Sequence, residues 1–133
     1  MDKVFSLNNP RVIIFQKLYS QYFNKNKEIE FRKHRYKKFI KDIVFCTIER
    51  KELIEESIQK HLGRDINMNR TETLLIIILH AAIFELLYRP QTSTKVIINE
   101  YLNSSKYFLE QSQKSFLNAI LDKISKIIRF KSE

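Results

Sequence analysis

Three histidines and one cysteine are the side chains of this chain whose chemistry most often serves catalysis or metal binding. His34, His61 and His80 are far apart and show neither the four-residue spacing nor the HExxH motif typical of a metal or acid–base site. Cys46 lies within an apolar helical pattern, where a thiol usually packs as a small hydrophobic group. With one glycine the chain also lacks a phosphate-cradling loop. We therefore expect no catalytic residue, no metal and no cofactor, and we do not expect an enzyme.

Cations are far more numerous, and their pattern indicates a polyanionic partner. The chain carries 24 Lys and Arg residues against 15 Asp and Glu residues, a formal net charge of +9. Residues 32–41 contain a run of cations with no acid among them. These cations are Arg32, Lys33, Arg35, Lys37, Lys38 and Lys41. A basic surface of this kind attracts RNA phosphates, although a solvated helix face produces the same pattern.

Aromatic and amide side chains supply a second kind of RNA chemistry. Tyr19, Tyr22 and Phe116 lie near basic or amide residues in the sequence, as stacking on unpaired bases requires, although the core is the more common place for a ring. Short polar residues also interrupt the apolar stripes of the C-terminal part, where they are poor helix-interior choices without a partner. These residues are Asn99, Glu100, Asn118 and Asp122. We interpret them as candidates for recognition.

Helices must position these residues. One glycine and two prolines are too few turn residues for a multi-stranded sheet, and long segments follow the 3.6-residue period. Asn9 with Pro10 predicts the start of the first helix, and Ser93 or Thr94 predicts the cap of the fifth. Gly63 is suited to a left-handed C-terminal cap. The six predicted helices span approximately residues 10–24, 31–47, 53–63, 70–89, 94–109 and 113–128.

The chain is predicted to be one all-α domain, with residues 64–69 as the boundary between two halves. The longest uncharged run, 73–84, is shorter than the about 20 apolar residues that cross a bilayer, so it predicts a core helix and no membrane partner. The N-terminal residues lack a secretory signal pattern, and a lone cysteine suits a reducing compartment. We therefore expect a cytoplasmic protein.

The segment ELLYRPQTSTKVIINEYLNSSKYF, followed by SFLNAILDKI, resembles the NusB family of transcription antitermination factors. That family's pattern runs approximately YEL, a short loop, KVxINE, an aliphatic helix and then KFVNGxLD. In the first helix, Arg11, Gln16, Leu18 and Tyr19 are similar to the family's R-x4-Q-x-LY motif. The resemblance covers nearly the whole length and is weakest in the middle.

The resemblance implies an all-helical NusB-like domain of two small helical subdomains, residues 1–65 and 66–133. It also implies a role without chemistry: binding boxA-like RNA together with the ribosomal protein NusE, within the RNA polymerase antitermination complex on ribosomal RNA operons. An RNA-targeting NusB-like module of a ribosomal RNA cytosine methyltransferase is the alternative, and the lack of a methyl-donor-binding domain before residue 133 favours the stand-alone factor. A purely structural scaffold is a third reading, and the choice between monomer and homodimer stays open.

Site residues follow from the resemblance position by position. The residues carried over as RNA-binding are Lys3, Arg11, Gln16, Tyr19, Lys114, Phe116, Asn118 and Asp122. Glu85 lies on the helix that the family uses against NusE. Asn99 and Glu100 match the INE motif, where the two open roles are bracing the two halves of the domain and contacting a partner. The sequence departs from the family in three ways: only Lys3 precedes the first helix where an Arg-rich arm is usual, His80 replaces an arginine, and Ser115 and Ala119 replace a lysine and a glycine. Lys114 and the cations of residues 32–41 are expected to compensate.

Overall fold

The computed structural model describes residues 8–67 and 69–129. Within these ranges the chain forms six α-helices and no β-strand. The helices are α1 (Pro10–Phe23), α2 (Lys37–Glu49), α3 (Lys51–Leu62), α4 (Thr73–Tyr88), α5 (Thr94–Ser105) and α6 (Gln111–Ile128). The all-α fold expected from the apolar periodicity is confirmed.

Helix α4 is the centre of the molecule, and each of the other five helices packs against it. Its residues 77–86 are buried without interruption, because the sequence is apolar on every side of the helix. The buried apolar side chains form one continuous core with contributions from all six helices. His80 and Glu85 are the polar residues within this buried run. The division into subdomains 1–65 and 66–133 stays a prediction.

Side-chain caps set the beginnings of three helices. Asn9 Oδ1 accepts hydrogen bonds from the backbone N–H groups of Arg11 at 2.9 Å and Val12 at 3.3 Å, with Pro10 in the first turn. Ser93 Oγ accepts from the N–H of Val96 at 3.2 Å. Both predicted caps are confirmed. Helix α6 begins at Gln111, two residues before the predicted start, because Glu110 and Gln113 form a reciprocal capping box.

The left-handed cap predicted at Gly63 is wrong. Gly63 has φ −59° and ψ −26°, which is right-handed helical backbone. The chain instead turns through N–H donation from Asp65 and Ile66 to the carbonyl oxygen of Leu62, at 2.9 and 3.0 Å. A Cβ atom on Gly63 would lie 2.6 Å from the carbonyl oxygen of Gln59. Close approach of the backbone, rather than a positive φ, is therefore the reason for glycine here.

The segment before α2 also differs from its predicted helix, which was to begin at residue 31. Residues 24–36 have no regular helix, and α2 begins at Lys37. His34 holds this segment in place, because its Nδ1 accepts from the N–H of Tyr36 at 2.9 Å and its Nε2 donates to the carbonyl oxygen of Asn8 at 2.8 Å. The first three cations of the basic segment therefore lie in the connection before α2.

The end of α4 is held by a side chain that the sequence pattern does not identify. The Arg129 guanidinium donates to the carbonyl oxygens of Leu86 at 2.8 Å, Arg89 at 2.9 Å and Thr92 at 2.6 Å. These carbonyl groups belong to the last turn of α4 and the connection after it, so a buried cation satisfies them. In the described ranges no helix is long and apolar enough to cross a membrane.

Candidate nucleic-acid interface

The first arginine of α1 is the most constrained of the predicted site residues. Arg11 donates from Nε to Oε2 of Glu85 at 3.0 Å and from Nη2 to Oε1 at 2.8 Å, a bidentate ion pair between α1 and α4. The exposed fraction is 13% for the Arg11 side chain and 1% for the Glu85 side chain. On α5, Glu100 Oε2 lies 3.7 Å from Nη1 of the same guanidinium.

Two aromatic rings enclose this ion pair. The Arg11 Cζ atom lies 5.1 Å from the ring centroid of Phe39 on α2 and 5.3 Å from that of Tyr101 on α5. Burial lowers the pKa of Arg11, but Tyr101 and the carboxylates of Glu85 and Glu100 outweigh it, so the pKa is raised. Burial, followed by Glu85, raises the pKa of Tyr101 well above its ordinary value. Four helices therefore meet at a charged guanidinium and a neutral phenol.

This geometry bears on two of the predicted contacts. Arg11 is predicted to face RNA and Glu85 to face a protein partner, yet each side chain uses its charged group on the other. Glu100 joins the same group, which agrees with bracing, whereas Asn99 is exposed. The structure thus gives Arg11 and Glu85 internal partners, and contact of either residue with RNA or protein stays a prediction.

An open cleft of about 640 Å³ borders α1 beside the start of α4. Tyr19 is 42% exposed, and its ring centroid lies 4.9 Å from that of Phe23 one turn later. Phe108, in the connection before α6, contacts Phe15 edge to face with a centroid separation of 6.3 Å. We name this region the aromatic cleft, which is lined by Phe15, Gln16, Tyr19, Phe23, Phe108 and residues 69–74.

A second cleft, of about 440 Å³, lies between α1 and the connection that precedes α2. Four Lys and Arg residues line it, and none of the described residues that line it is acidic. Lys17 Nζ lies 5.8 Å from the centroid of the Phe31 ring, which also lines the cleft. We name this region the basic cleft, which is lined by Asn8, Ile13, Gln16, Lys17, Phe31, Arg32, Lys33, His34, Lys37 and Ile40.

Gln16 joins the two clefts, because its exposed side chain lines both. Tyr19 lies one turn farther along α1, in the aromatic cleft only. The structure therefore brings together two residues of the first-helix motif and part of the cation-rich segment. An amide between a basic surface and exposed rings can hydrogen-bond to a base edge while phosphates and rings lie on either side.

The six cations of residues 32–41 are all exposed. None of the ion pairs found in the described ranges involves them. Three of them, Arg32, Lys33 and Lys37, line the basic cleft. No ion-paired carboxylate therefore competes with a phosphate group for these cations.

The predicted contacts on α6 have a different setting. Asn118 and Asp122 are exposed, and Asp122 Oδ2 accepts from Lys126 Nζ at 3.0 Å. Lys114 and Phe116 are half-buried, and Phe116 packs against the core. None of these four predicted residues lines the aromatic or the basic cleft.

Phe116 and Asn118 also point in different directions. Successive residues of an α-helix are rotated by roughly 100°, so these two side chains leave α6 on sides about 160° apart. The turns that follow agree, because Lys123 on the Phe116 side pairs with Asp65 at 2.7 Å while Asp122 on the Asn118 side pairs within its own helix. Phe116 and Asn118 therefore do not share one narrow face of α6, and the RNA contact of each stays a prediction.

Several residues of the two clefts have no counterpart among the predicted contacts. Lys17 and Phe31 come from the basic cleft, and Phe23, Arg70 and Phe108 come from the aromatic cleft. Phe23 belongs to the aromatic stripe of α1, which could have identified it as a candidate. Its ring is 64% exposed, so it is not a core residue. Lys3 lies outside the described residues, and its predicted contact is not located.

The residues considered for catalysis or metal binding stay apart. Cys46 is half-buried and packs against the core, and it forms no disulfide. Within residues 8–67 and 69–129, no three His, Cys, Asp or Glu side chains lie close enough together to hold a metal ion.

Comparison with known proteins gives the family. The model of the NusB family matches residues 3–126. The chain is 41% identical over 88 residues to the transcription antitermination protein NusB of Rickettsia bellii, covering 66% of this chain and 54% of that protein. It is 32% identical over 91 residues to the protein of the same name from Caulobacter vibrioides, covering 68% and 61%. The chain thus spans little more than half the length of the curated relatives it matches.

A solved structure supports the fold. T. maritima NusB superposes with a TM-score of 0.77 over 90% of this chain and 89% of that chain, at 22% sequence identity. At this identity the likeness shows the helical architecture, while the family model and the relatives supply the membership. The resemblance found in the sequence motifs is confirmed, and the chain belongs to the NusB family of transcription antitermination factors.

Proposed function

We propose that this protein binds boxA-type single-stranded RNA together with the ribosomal protein NusE, and so acts in antitermination on ribosomal RNA operons. The observation that carries the proposal is the continuity of the basic and aromatic clefts at Gln16. A flexible strand along α1 would place phosphates over Lys17, Lys33 and Lys37 and unpaired bases against Tyr19 and Phe23. The family membership supports this role, and its place of action would be the cytoplasm, where nascent transcripts form.

Charge supplies the affinity in this proposal. Each phosphate that a cation neutralises releases condensed counterions, so binding should weaken steeply as salt rises, with a slope of about −0.7 per contact for a single strand. Rings and amides supply the preference for unpaired bases, since every base has a face for stacking and an edge for hydrogen bonds. Both kinds of side chain are exposed within one region of α1 and its neighbours.

The protein partner is proposed at helix α4, as the family resemblance implies. Glu85 itself is enclosed by Arg11, so a direct contact would require its ion pair to open. We therefore propose that Glu85 acts on the NusE surface by fixing the position of α4 against α1, with exposed neighbours such as Tyr88 making the contact. A homodimer that pairs through the proposed RNA surface is the alternative use of that surface.

The test is a titration of a boxA-like RNA and a scrambled RNA of equal length, followed by fluorescence anisotropy at two salt concentrations, with and without NusE. We expect tighter binding of the boxA-like RNA, a further gain with NusE and a steep loss at the higher salt. Equal affinity for the two RNAs together with no gain from NusE would contradict the proposal. Light scattering of the free protein separates a monomer from a homodimer that occupies this surface.

A further inference from the structure

Two phenylalanine rings meet where the basic cleft borders α2. Phe31 lines the cleft and is half-buried against the core. Phe45, on α2, does not line the cleft, and it is 46% exposed. The two ring centroids are 5.4 Å apart, with an angle of 59° between the ring planes. We name these two residues the phenylalanine pair, which extends the aromatic surface of the cleft outward onto α2.

Two lysines flank the phenylalanine pair. Lys17 Nζ lies 5.8 Å from the ring centroid of Phe31, and Lys41 Nζ lies 5.9 Å from the same centroid. None of the ion pairs found in the described ranges involves either lysine. Because both ammonium groups lie over Phe31, the exposed ring that stays open for stacking is that of Phe45.

A row of side chains on α2 connects the basic cleft with this exposed ring. Residues four positions apart lie on the same side of a helix, and Lys37, Lys41 and Phe45 follow this spacing. At a rise of 1.5 Å per residue the row is roughly 12 Å long. Lys37 lines the basic cleft, so the row begins at the cleft and leads away from it. Two cations are thus followed by one ring.

Carboxylates mark the end of this row. Asp42, three residues before Phe45, and Glu49, four residues after it, are both exposed. Their negative charge disfavours phosphate groups beyond the ring. Glu30, the neighbour of Phe31 in the chain, is exposed as well but does not line the basic cleft. A polyanionic strand that follows the row from the cleft therefore has its last favourable contact at Phe45.

We propose that the phenylalanine pair is a further subsite for single-stranded RNA. One base of the sequence flanking the boxA-like element stacks on Phe45, and the phosphates before it lie over Lys37 and Lys41. This subsite rests on the proposed function, because the strand reaches it from the basic cleft. Stacking accepts any base, so the subsite adds affinity without sequence preference. A second copy of this chain fits less well, because symmetric pairing would bring lysines against lysines.

The experiment compares a boxA-like RNA with the same RNA extended by about three adenosines at its 5′ end or at its 3′ end, using anisotropy and the full chain. We expect one of the two extensions to tighten binding at least about fivefold. A 2-aminopurine base in that extension should lose fluorescence on binding, because stacking quenches it. Phe45→Ala should remove both effects and leave the affinity for the unextended RNA unchanged.

Further variants separate stacking from packing. Phe45→Tyr keeps an aromatic face and should retain the gain from the extension, whereas Phe45→Leu keeps an apolar side chain and should lose it. Lys41→Gln should reduce the salt slope by about 0.7 for the extended RNA only. Tyr107→Ala is the matched control, because Tyr107 is 38% exposed and Lys106 Nζ lies 5.2 Å from its ring centroid. This control should keep the full gain.

Other outcomes overturn the subsite. Absence of a gain with either extension would show that the strand does not follow the row on α2. A gain that persists in Phe45→Ala would place the added nucleotides elsewhere. Equal weakening of the extended and unextended RNAs in Phe45→Ala would show that this ring is no separate subsite. Self-association of the free protein that Phe45→Ala abolishes, measured by light scattering, would assign the phenylalanine pair to a homodimer.

The same extensions on the scrambled RNA separate the subsite from the proposed function. Equal affinity for the unextended boxA-like and scrambled RNAs, with no gain from NusE, would contradict the proposed function. A gain from the extension that still depends on Phe45 in both RNAs would nevertheless support the subsite. A preference for the boxA-like RNA without any gain from the extension would contradict the subsite alone.

Discussion

Helices α1 and α6 both present residues of the family pattern to solvent, but their exposed sides differ in shape and in charge balance. On α1, Gln16 borders both clefts and Tyr19 borders the aromatic cleft, and the two clefts together hold exposed rings and cations. On α6, Asn118 and Asp122 lie outside both clefts, and Asp122 is already paired with Lys126. Equal agreement with a family motif therefore does not imply an equal share in binding.

The difference lies in what surrounds the cations. Lys123 and Lys126 of α6 have carboxylate partners at 2.7 and 3.0 Å, so an approaching phosphate competes with an ion pair. Arg32, Lys33 and Lys37 have no such partner among the described residues and lie against a cleft. Under the proposed function we therefore expect most of the RNA affinity on the α1 side and a smaller contribution from α6.

The largest expected effect tests whether Arg11 belongs to the interior or to the RNA surface of α1. Arg11→Ala leaves the buried Glu85 carboxylate without its partner and should lower the free energy of unfolding by about 3–5 kcal/mol. Urea denaturation followed by circular dichroism measures this loss. Arg11→Ala combined with Glu85→Leu should recover part of it, because no lone buried carboxylate remains. A loss below about 1 kcal/mol together with a large loss of RNA affinity would place Arg11 on the RNA instead.

The second effect compares the cations of the two sides. Replacing Arg32, Lys33 and Lys37 by glutamine should reduce the slope of log K against log salt by about 2, which is roughly 2 kcal/mol of binding at physiological salt. The matched control replaces Lys123 and Lys126 by glutamine and should leave the slope nearly unchanged, because both are paired. Anisotropy titrations over a salt series give both slopes. An equal reduction in the two variants would remove the distinction between α1 and α6.

The third effect concerns stacking in the aromatic cleft. Tyr19→Ala should weaken RNA binding by about 1–2 kcal/mol through loss of base stacking, with little change in stability since the ring is already exposed. Tyr88→Ala is the matched control, because Tyr88 has a similar exposed fraction of 39% and lies at the end of α4. For RNA alone, this control should bind as the wild type. Equal weakening in both variants would show that the aromatic cleft has no special role.

The smallest effect is expected on α6. Asn118→Ala should change RNA affinity by less than about 0.5 kcal/mol, because its side chain is exposed and outside both clefts. Phe116→Ala should instead lower stability by about 1–3 kcal/mol, since the ring packs against the core. Binding titrations and denaturation curves measure the two quantities side by side. A loss of RNA affinity above about 2 kcal/mol in Asn118→Ala would make α6 an equal partner in recognition.

Local features of the fold could be predicted from the sequence. Helical periodicity, the Asn9 and Ser93 caps and the stop before Pro90 depend on residues a few positions apart, so the sequence contains their cause. The start of α2 depends on a contact between His34 and the carbonyl group of Asn8, 26 positions earlier, which no local pattern expresses. The conformation of Gly63 has a different cause: a glycine also serves close backbone approach, here to Gln59 four positions earlier, and the residue type alone does not tell this use from a left-handed cap.

The candidate site shows the same limit. Arg11, Gln16 and Tyr19 share one helix motif, but Arg11 pairs with Glu85, 74 positions away. The motif alone therefore does not show that Arg11 forms an internal ion pair. Cleft walls at residues 69–74 and at Phe108 come from connections that periodicity does not place beside α1. The kinds of side chain at the candidate site could be predicted from the sequence. Their grouping into clefts could not, because it depends on how α1 packs against α4.

The most direct test of the central claim is an NMR titration of the isotope-labelled protein with a boxA-like single-stranded RNA. We expect the largest shifts at the Gln16 side-chain amide, at Tyr19 and Phe23, and at Lys33, with small shifts at the Asn118 side-chain amide. Large shifts confined to Asn118 and its neighbours on α6, with Gln16 and Tyr19 unchanged, would contradict it.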